Sequence, residues 1–258
     1  MSEQRTHFDL VVIGGGPGGY ASALYGSAAG MDVALVEMSK IGGTCLHVGC
    51  IPAKELLETA SVLRTVRHAG EFGVNTSEAT LDLSKTMERK QSVIDQLTKG
   101  VVGLLDRREV TIFNGIGSLS ANRKIKIQAT DGSKTHITGD NIILASGSKP
   151  RTIPGFEIDG DLILTSEELL SMTTIPKSVA IIGGGAIGVE FASALNDFGS
   201  EVTILEALPS ILSGCDADLS KTVSRSFKKR GIEVLVNCKV SGHTKKTAGL
   251  TLHLDDRD

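Results

Sequence analysis

Two stretches of this chain carry one pattern of apolar and polar positions. Residues 8–13 (FDLVVI) form an almost unbroken apolar run that ends in Gly14-Gly15-Gly16-Pro17-Gly18-Gly19. Small residues at helical spacing follow, and then a second apolar run, Asp32–Val36, closed by Glu37. Residues 178–182 (SVAII) repeat the pattern before Gly183-Gly184-Gly185-Ala186-Ile187-Gly188, and there the second run, Val202–Leu205, is closed by Glu206. A short apolar run bounded by glycine predicts a strand covered on both faces, and the small-residue period predicts the helix behind it. In both copies the acid stands 18 positions after the third glycine.

A single G-x-G-x-x-G is a weak signal. Two copies, each with strand, helix, strand and acid in register, predict an α/β fold built on two Rossmann-like dinucleotide-binding units. The first glycine of each (Gly14, Gly183) makes the tight turn, and the second (Gly16, Gly185) lets backbone approach a pyrophosphate. The third (Gly19, Gly188) lets helix and strand pack closely. The helix start presents N–H groups and partial positive charge to the phosphates, and Glu37 and Glu206 are placed to accept ribose hydroxyls.

Between the copies the period becomes helical. Lys54–Ala69 carries Leu56, Leu57, Ala60, Leu63 and Val66, with Gly70 suited to its stop. Ser84–Asp106 sets Met87, Ile94, Leu97, Val101 and Leu104 on one face, a core-facing helix rather than a coiled coil because Gly100 and Gly103 weaken an exposed one. From Val110 to Leu144 the pattern alternates as short strands with a turn at Asp131-Gly132, and Gly147–Pro154 reads as a linker. The expected domains are residues 1–149 and 150–258.

Composition narrows the function. Apolar residues are 40% and charged residues 22%, which is globular rather than disordered. Two tyrosines and no tryptophan argue against a site of stacked aromatics, and a net charge of −3 without a basic run gives nucleic acid or an anionic membrane no handle. The start, MSEQRTHFDL, runs into a strand with neither an apolar signal core nor an Arg-rich transit segment, so a cytoplasmic protein is expected. No apolar run approaches the roughly 20 residues a membrane span needs.

Of four cysteines, Cys45 and Cys50 are close, while Cys215 and Cys238 read as small buried hydrophobes. Without a secretory signal, a close pair points to catalysis or metal rather than a structural bridge. Five residues apart on a regular helix the two would face differently, so joining them needs a distorted turn, which Gly49 permits. A disulfide in imperfect geometry is easily reduced, and Lys54, one turn beyond Cys50, places a cation where it could favour a thiolate. The alternatives are two buried thiols or half of a metal site, for which no matching Cys or His group exists.

The segment GGTCLHVGCIPAKELL (residues 42–57) resembles the redox-active segment of the dihydrolipoamide dehydrogenases, within the class I pyridine-nucleotide disulfide oxidoreductases that include glutathione and mercuric reductases. Both fingerprints, this segment and Leu144-Ala145-Ser146-Gly147-Ser148-Lys149-Pro150 occur in family order and cover nearly the whole chain. Ser146 stands where the family usually has Thr, and His47 where Asn is frequent.

The resemblance implies FAD on the first unit, through Gly14, Gly16, Gly19, Glu37, Gly43, Thr44, Lys54, Ser146 and Gly147. It implies NAD on the second, through Gly183, Gly185, Gly188 and Glu206. Cys50 would stand beside the flavin, and Cys45 would exchange with the substrate disulfide. Lys54 would lie by the flavin N5, paired with Glu190, which without the family reads as a polar helix residue. Glu206 favours the free 2′-hydroxyl of NAD over the 2′-phosphate of NADP, and no Arg or Lys occurs in the ten residues after it.

The implied reaction takes dihydrolipoamide and NAD⁺ to lipoamide and NADH, on a lipoyl group carried by a 2-oxo acid dehydrogenase or a glycine cleavage carrier, by a homodimer. The family's final flavin-domain strand and its C-terminal interface domain, which supplies a His-Pro base, are expected to be absent. The sequence closes at Leu252–Asp258 within the second unit, and none of its six histidines precedes a proline. The expectation is a chain inactive alone, with a non-catalytic nucleotide-binding remnant, or another family member such as a glutathione or mercuric reductase, as the alternative readings.

Overall fold

The computed structural model describes residues 5–247 and 249–255; the expectations for the first four and last three residues fall outside it. The chain forms two compact units. One is built from the chain up to residue 52 together with 91–149, the other from 53–90 together with residues from 150 onward. The segment 53–90, placed by sequence with the first domain, thus belongs to the second unit. Ala53, Leu56, Ala60 and Leu63 explain this: they are buried in one apolar cluster with Leu195, Val202 and Ile204.

The first unit holds a six-stranded sheet. Its strands are β1 (His7–Ile13), β2 (Val33–Glu37), β3 (Thr111–Asn114), β4 (Ile116–Leu119), β5 (Lys124–Gln128) and β6 (Lys134–Leu144). Their spatial order is β3-β2-β1-β6-β5-β4. β1 pairs in parallel with β2 (Val12 with Leu35) and with β6 (Val12 with Ile143), whereas β5 runs antiparallel to β6 and to β4. The two-residue alternation of a strand divides its side chains between two cores. Val11 and Ile13 pack with Ala34, Val36 and Phe113; Leu10 and Val12 pack with Val33, Leu35 and Leu105. This explains why β1 reads as an unbroken apolar run.

Helix α1 (Pro17–Ala28) follows β1, and α2 (Gly43–Val48) follows β2. α3 (Cys50–Arg67) starts four residues before the helix expected from periodicity. Pro52 stands in its first turn, where no i−4 hydrogen bond is required, so it does not delay the start. Helix α4 (Leu83–Arg107) matches the second expected helix, but its buried seam differs. Ile94 and Leu105 are buried, while Leu97 and Leu104 are 40% and 43% exposed. At 100° per residue, Met87, Ile94, Val101 and Leu105 lie within a narrow stripe, and Leu97 and Leu104 fall well to one side of it.

The second unit contains a parallel sheet of β7 (Ser178–Ile182), β8 (Glu201–Leu205) and β9 (Glu233–Leu235), in that order. Short α5 (Ser166–Leu169) precedes it, α6 (Ala186–Phe198) joins β7 to β8, and α7 (Ala217–Lys229) joins β8 to β9. An antiparallel hairpin, β10 (Val240–Lys246) and β11 (Gly249–Leu254), follows. Buried Asp197 on α6 receives Arg64 at 2.5 Å and Arg230 at 3.0 Å, and its carbonyl accepts from Arg67 at 2.6 Å. Three guanidinium groups thus satisfy one residue that burial would otherwise penalise.

Candidate functional site

Each fingerprint folds into the same hydrogen-bonded turn. Gly14 and Gly183 have φ of +108° and +109°, a backbone conformation open to glycine. Gly14 N–H donates to Val36 O at 2.8 Å, and Gly183 N–H to Leu205 O at 2.9 Å. A Cβ on Gly19 would meet the carbonyl oxygen of Gly14, and one on Gly188 that of Gly183, so the third glycine permits the helix to seat on its own turn. By contrast, a Cβ on Gly16 would touch nothing nearer than Gly43 Cα at 3.8 Å, and one on Gly185 would meet nothing within 4 Å. No protein atom demands glycine at these second positions, and the space beside them suits a ligand's phosphates.

The helix ends fit such a ligand. α1 and α6 start at Gly16 and Gly185, with no side-chain cap and no acidic residue in the first turn. No residue of either helix's own first turn occupies these N–H groups or opposes their partial positive charge. By comparison, α5 carries a full capping box from Thr165 and Glu168.

The two acids do more than the sequence indicated. Glu37, only 8% exposed, accepts from Gly15 N–H at 2.6 Å and Ser39 N–H at 2.7 Å. Glu206 accepts from Gly184 N–H at 2.6 Å and Leu208 N–H at 2.8 Å. Each carboxylate braces its own glycine turn, and each oxygen retains a lone pair for a hydroxyl donor. The repeat continues into the next turn, which the sequence pattern did not reveal. Gly42 N–H donates to Gly15 O at 2.8 Å, and Leu212 N–H to Gly184 O at 2.7 Å. Both donors have positive φ, +108° for Gly42 and +52° for Leu212.

The redox segment starts at this turn. A Cβ on Gly43 would lie 2.6 Å from Gly16 Cα, so the start of α2 packs directly on the second glycine of the first fingerprint. Thr44 is exposed and Cys45 half-buried on α2, whereas Cys50 is exposed as the first residue of α3. Of the two cysteines expected to be buried hydrophobes, Cys238 is buried but Cys215 is exposed. Gly49 separates the helices with φ −146° and ψ −115°. A side chain there would press on Thr44 O at 2.9 Å and Cys45 Cα at 3.2 Å. The distorted turn expected between the cysteines is present, and only glycine brings the chain back so close to Cys45. On the other side of the turn, Ala145 N–H donates to Ile13 O at 2.8 Å and its carbonyl occupies the space of a Gly14 Cβ, with Ser146 and Gly147 exposed beyond it.

In the second unit, Lys54 Nζ donates to both carboxylate oxygens of Glu190, at 2.7 and 2.9 Å. Glu190 is therefore the partner of Lys54. Among the described residues no three His, Cys, Asp or Glu side chains converge as a metal site. No described helix is long and apolar enough to cross a membrane.

Residues 8–258 match the family model described as pyridine nucleotide-disulphide oxidoreductase. The chain is 41% identical over 243 residues to a dihydrolipoyl dehydrogenase of Bacillus subtilis, covering 91% of this chain and 51% of that protein. To one of Zymomonas mobilis it is 39% identical, covering 98% and 54%. Among solved structures, LpdA from Mycobacterium tuberculosis superposes with a TM-score of 0.89 at 26% identity, covering 97% of this chain and 55% of that one. The HOCl-induced flavoprotein disulfide reductase RclA from Escherichia coli, in a Cu(II) complex, gives 0.82 at 27%, covering 97% and 54%. The chain thus spans about half the length of these relatives.

Proposed function

Because the chain belongs to the pyridine nucleotide-disulphide oxidoreductase family, we propose that it is the nucleotide-binding and redox portion of a dihydrolipoamide dehydrogenase. FAD is held on the first unit by Gly14, Gly16, Gly19, Glu37, Gly43, Thr44, Ser146 and Gly147, with Lys54 toward its ring. NAD is held on the second by Gly183, Gly185, Gly188 and Glu206. The observation that carries this reading is the seat of Gly43 on Gly16, which starts the cysteine-bearing helix at the open side of a phosphate-sized turn.

Cys45 and Cys50 perform the exchange. One thiolate of the dihydrolipoyl group attacks Cys45 Sγ of the disulfide, and Cys50 leaves as a thiolate. The second substrate thiol attacks the mixed disulfide and releases Cys45, so the substrate becomes a disulfide and the protein a dithiol. When bound, the flavin supplies the two-electron relay from that dithiol to the nicotinamide. The roles of the two cysteines follow their order in the family motif. Lys54, held by Glu190, offers a fixed cation toward the flavin. Glu206 accepts from the ribose hydroxyls and repels a 2′-phosphate, which favours NAD. The lipoyl carrier of a 2-oxo acid dehydrogenase or of glycine cleavage, and a homodimeric assembly, complete the proposal.

The test is titration of the purified protein with FAD, followed by flavin fluorescence. Saturable binding of one flavin per chain, weakened by Gly16→Val, is the expected result. Absence of saturable binding overturns the reading and leaves a nucleotide-binding remnant.

A further inference from the structure

We propose that His47 is a positioning residue that clamps the turn joining the first fingerprint to the redox pair, and so governs the reactivity of Cys45. The proposal deepens the functional reading above and rests on it for the role of Cys45.

His47 Nε2 lies 2.8 Å from the carbonyl oxygen of Ile41. A carbonyl only accepts, so Nε2 is the donor in this contact. Ile41 is the residue on which the whole turn rests. Its side chain packs where a Gly15 Cβ would sit, at 2.9 Å, and the next residue, Gly42, donates to Gly15 O at 2.8 Å. Gly43 then packs on Gly16, and Cys45 follows in the first turn of α2. A donor on the far end of that short helix thus reaches back and fixes its own entry turn.

The internal repeat gives an independent reason to regard this bond as required. In the second unit Ile211 takes the place of Ile41: its side chain packs at Gly184, and Leu212 donates to Gly184 O. There the Ile211 carbonyl accepts from buried Ser220 Oγ at 2.6 Å, again a side chain of the following helix. Two unrelated residue types, His47 six residues after its Ile and Ser220 nine after, perform one task from the helix that follows the turn. The turn bends its Ile carbonyl away from backbone donors, and an unsatisfied carbonyl at a part-buried site is costly. In the first unit the clamped turn leads into Cys45, four residues after Ile41, so loosening it changes the access of that thiol. Cys215 stands four residues after Ile211 on the turn held by Ser220, which substitutions at His47 leave untouched.

The test uses the reduced protein and its own internal standard. Alkylation of Cys45 by iodoacetamide is timed by mass spectrometry against that of exposed Cys215 in the same molecules. His47→Leu, which keeps bulk but loses the donor, is expected to raise the Cys45/Cys215 rate ratio about fivefold, the effect of one lost hydrogen bond on a local opening. His47→Gln, which keeps an N–H donor, is expected to return the ratio to within about twofold of the starting protein. If His47→Leu leaves the ratio unchanged, or if His47→Gln matches His47→Leu, the proposal is overturned. Circular dichroism melting of each variant separates a local effect from global unfolding. Should His47→Leu unfold, a starting-protein ratio in His47→Gln sustains the proposal and a raised one overturns it. FAD titration of the unaltered protein reports separately on the functional reading, so the two failures are distinct.

Discussion

Lys54 Nζ stands 2.7 and 2.9 Å from the two carboxylate oxygens of Glu190, a residue 136 positions away in the chain. The lysine side chain is 57% exposed, so solvent screens the pair and its contribution to stability is about 0–1 kcal/mol. The pair thus adds little to the fold, and the role proposed for Lys54 is chemical. Lys54→Met is therefore expected to leave the melting temperature nearly unchanged while slowing flavin reduction by dithiol at least about tenfold, the range of a lost charge–dipole contact. Equal rates in stopped-flow flavin reduction would remove Lys54 from the site.

The turn at Gly49 brings the chain after α2 against Cys45, and the cysteine pair is expected to cycle as one disulfide. Thiol titration of the folded protein before and after mild reduction should reveal two additional thiols. Cys45→Ser and Cys50→Ser should each abolish that gain entirely. Full alkylation of both cysteines in air-oxidised protein would contradict it.

Glu206 braces its own turn and is proposed to select the nucleotide, and one substitution tests both. Glu206→Arg is expected to weaken NADH binding and improve NADPH binding, because the carboxylate that repels a 2′-phosphate becomes a cation that attracts it. It also strips Gly184 N–H and Leu208 N–H of their acceptor, at about 1–3 kcal/mol if both stay unpaired. Isothermal titration with both nucleotides should show the exchange in preference together with a lowered melting temperature. Equal affinity of the unaltered protein for both nucleotides would refute the assignment.

Lys90 is buried on α4, with its ammonium donating to the carbonyl of Leu170. Burial pushes its pKa below the ordinary value of 10.5. The folded state thus disfavours the charged amine, and below the lowered pKa that penalty is present in full. As pH rises from there toward 10.5, the unfolded chain holds more protons than the folded one, and stability increases. Lys90→Met should be more stable than the parent at neutral pH and should lose this alkaline gain. Urea midpoints at neutral and alkaline pH test it: a parent–variant difference that does not change with pH would exclude Lys90 as the source.

Much of this protein was legible from its residues alone. Apolar runs ending in glycine, and a glutamate at a fixed distance, mark β1, β2, β7 and β8, because a strand covered on both faces has little choice but to be apolar throughout. The first and third glycines of the two turns are legible for the same kind of local reason: each must lack a side chain or take positive φ. Periodicity also located α3 and α4 to within a few residues.

Tertiary structure decided the rest. Sequence spacing cannot tell that Glu37 and Glu206 brace their turns through backbone N–H groups, since those donors are defined only once strand and loop are folded. The family resemblance paired Lys54 with Glu190, but their contact exists only because α3 and α6 share one apolar cluster. The segment 53–90 joined the second unit for that reason, its apolar stripe finding a partner far along the chain. Likewise the clamps from His47 to Ile41 and from Ser220 to Ile211 use donors of different type at different spacings, which a pattern could not detect. What repeats there is an unsatisfied carbonyl, and a carbonyl's need for a donor appears only when the chain has been bent around it.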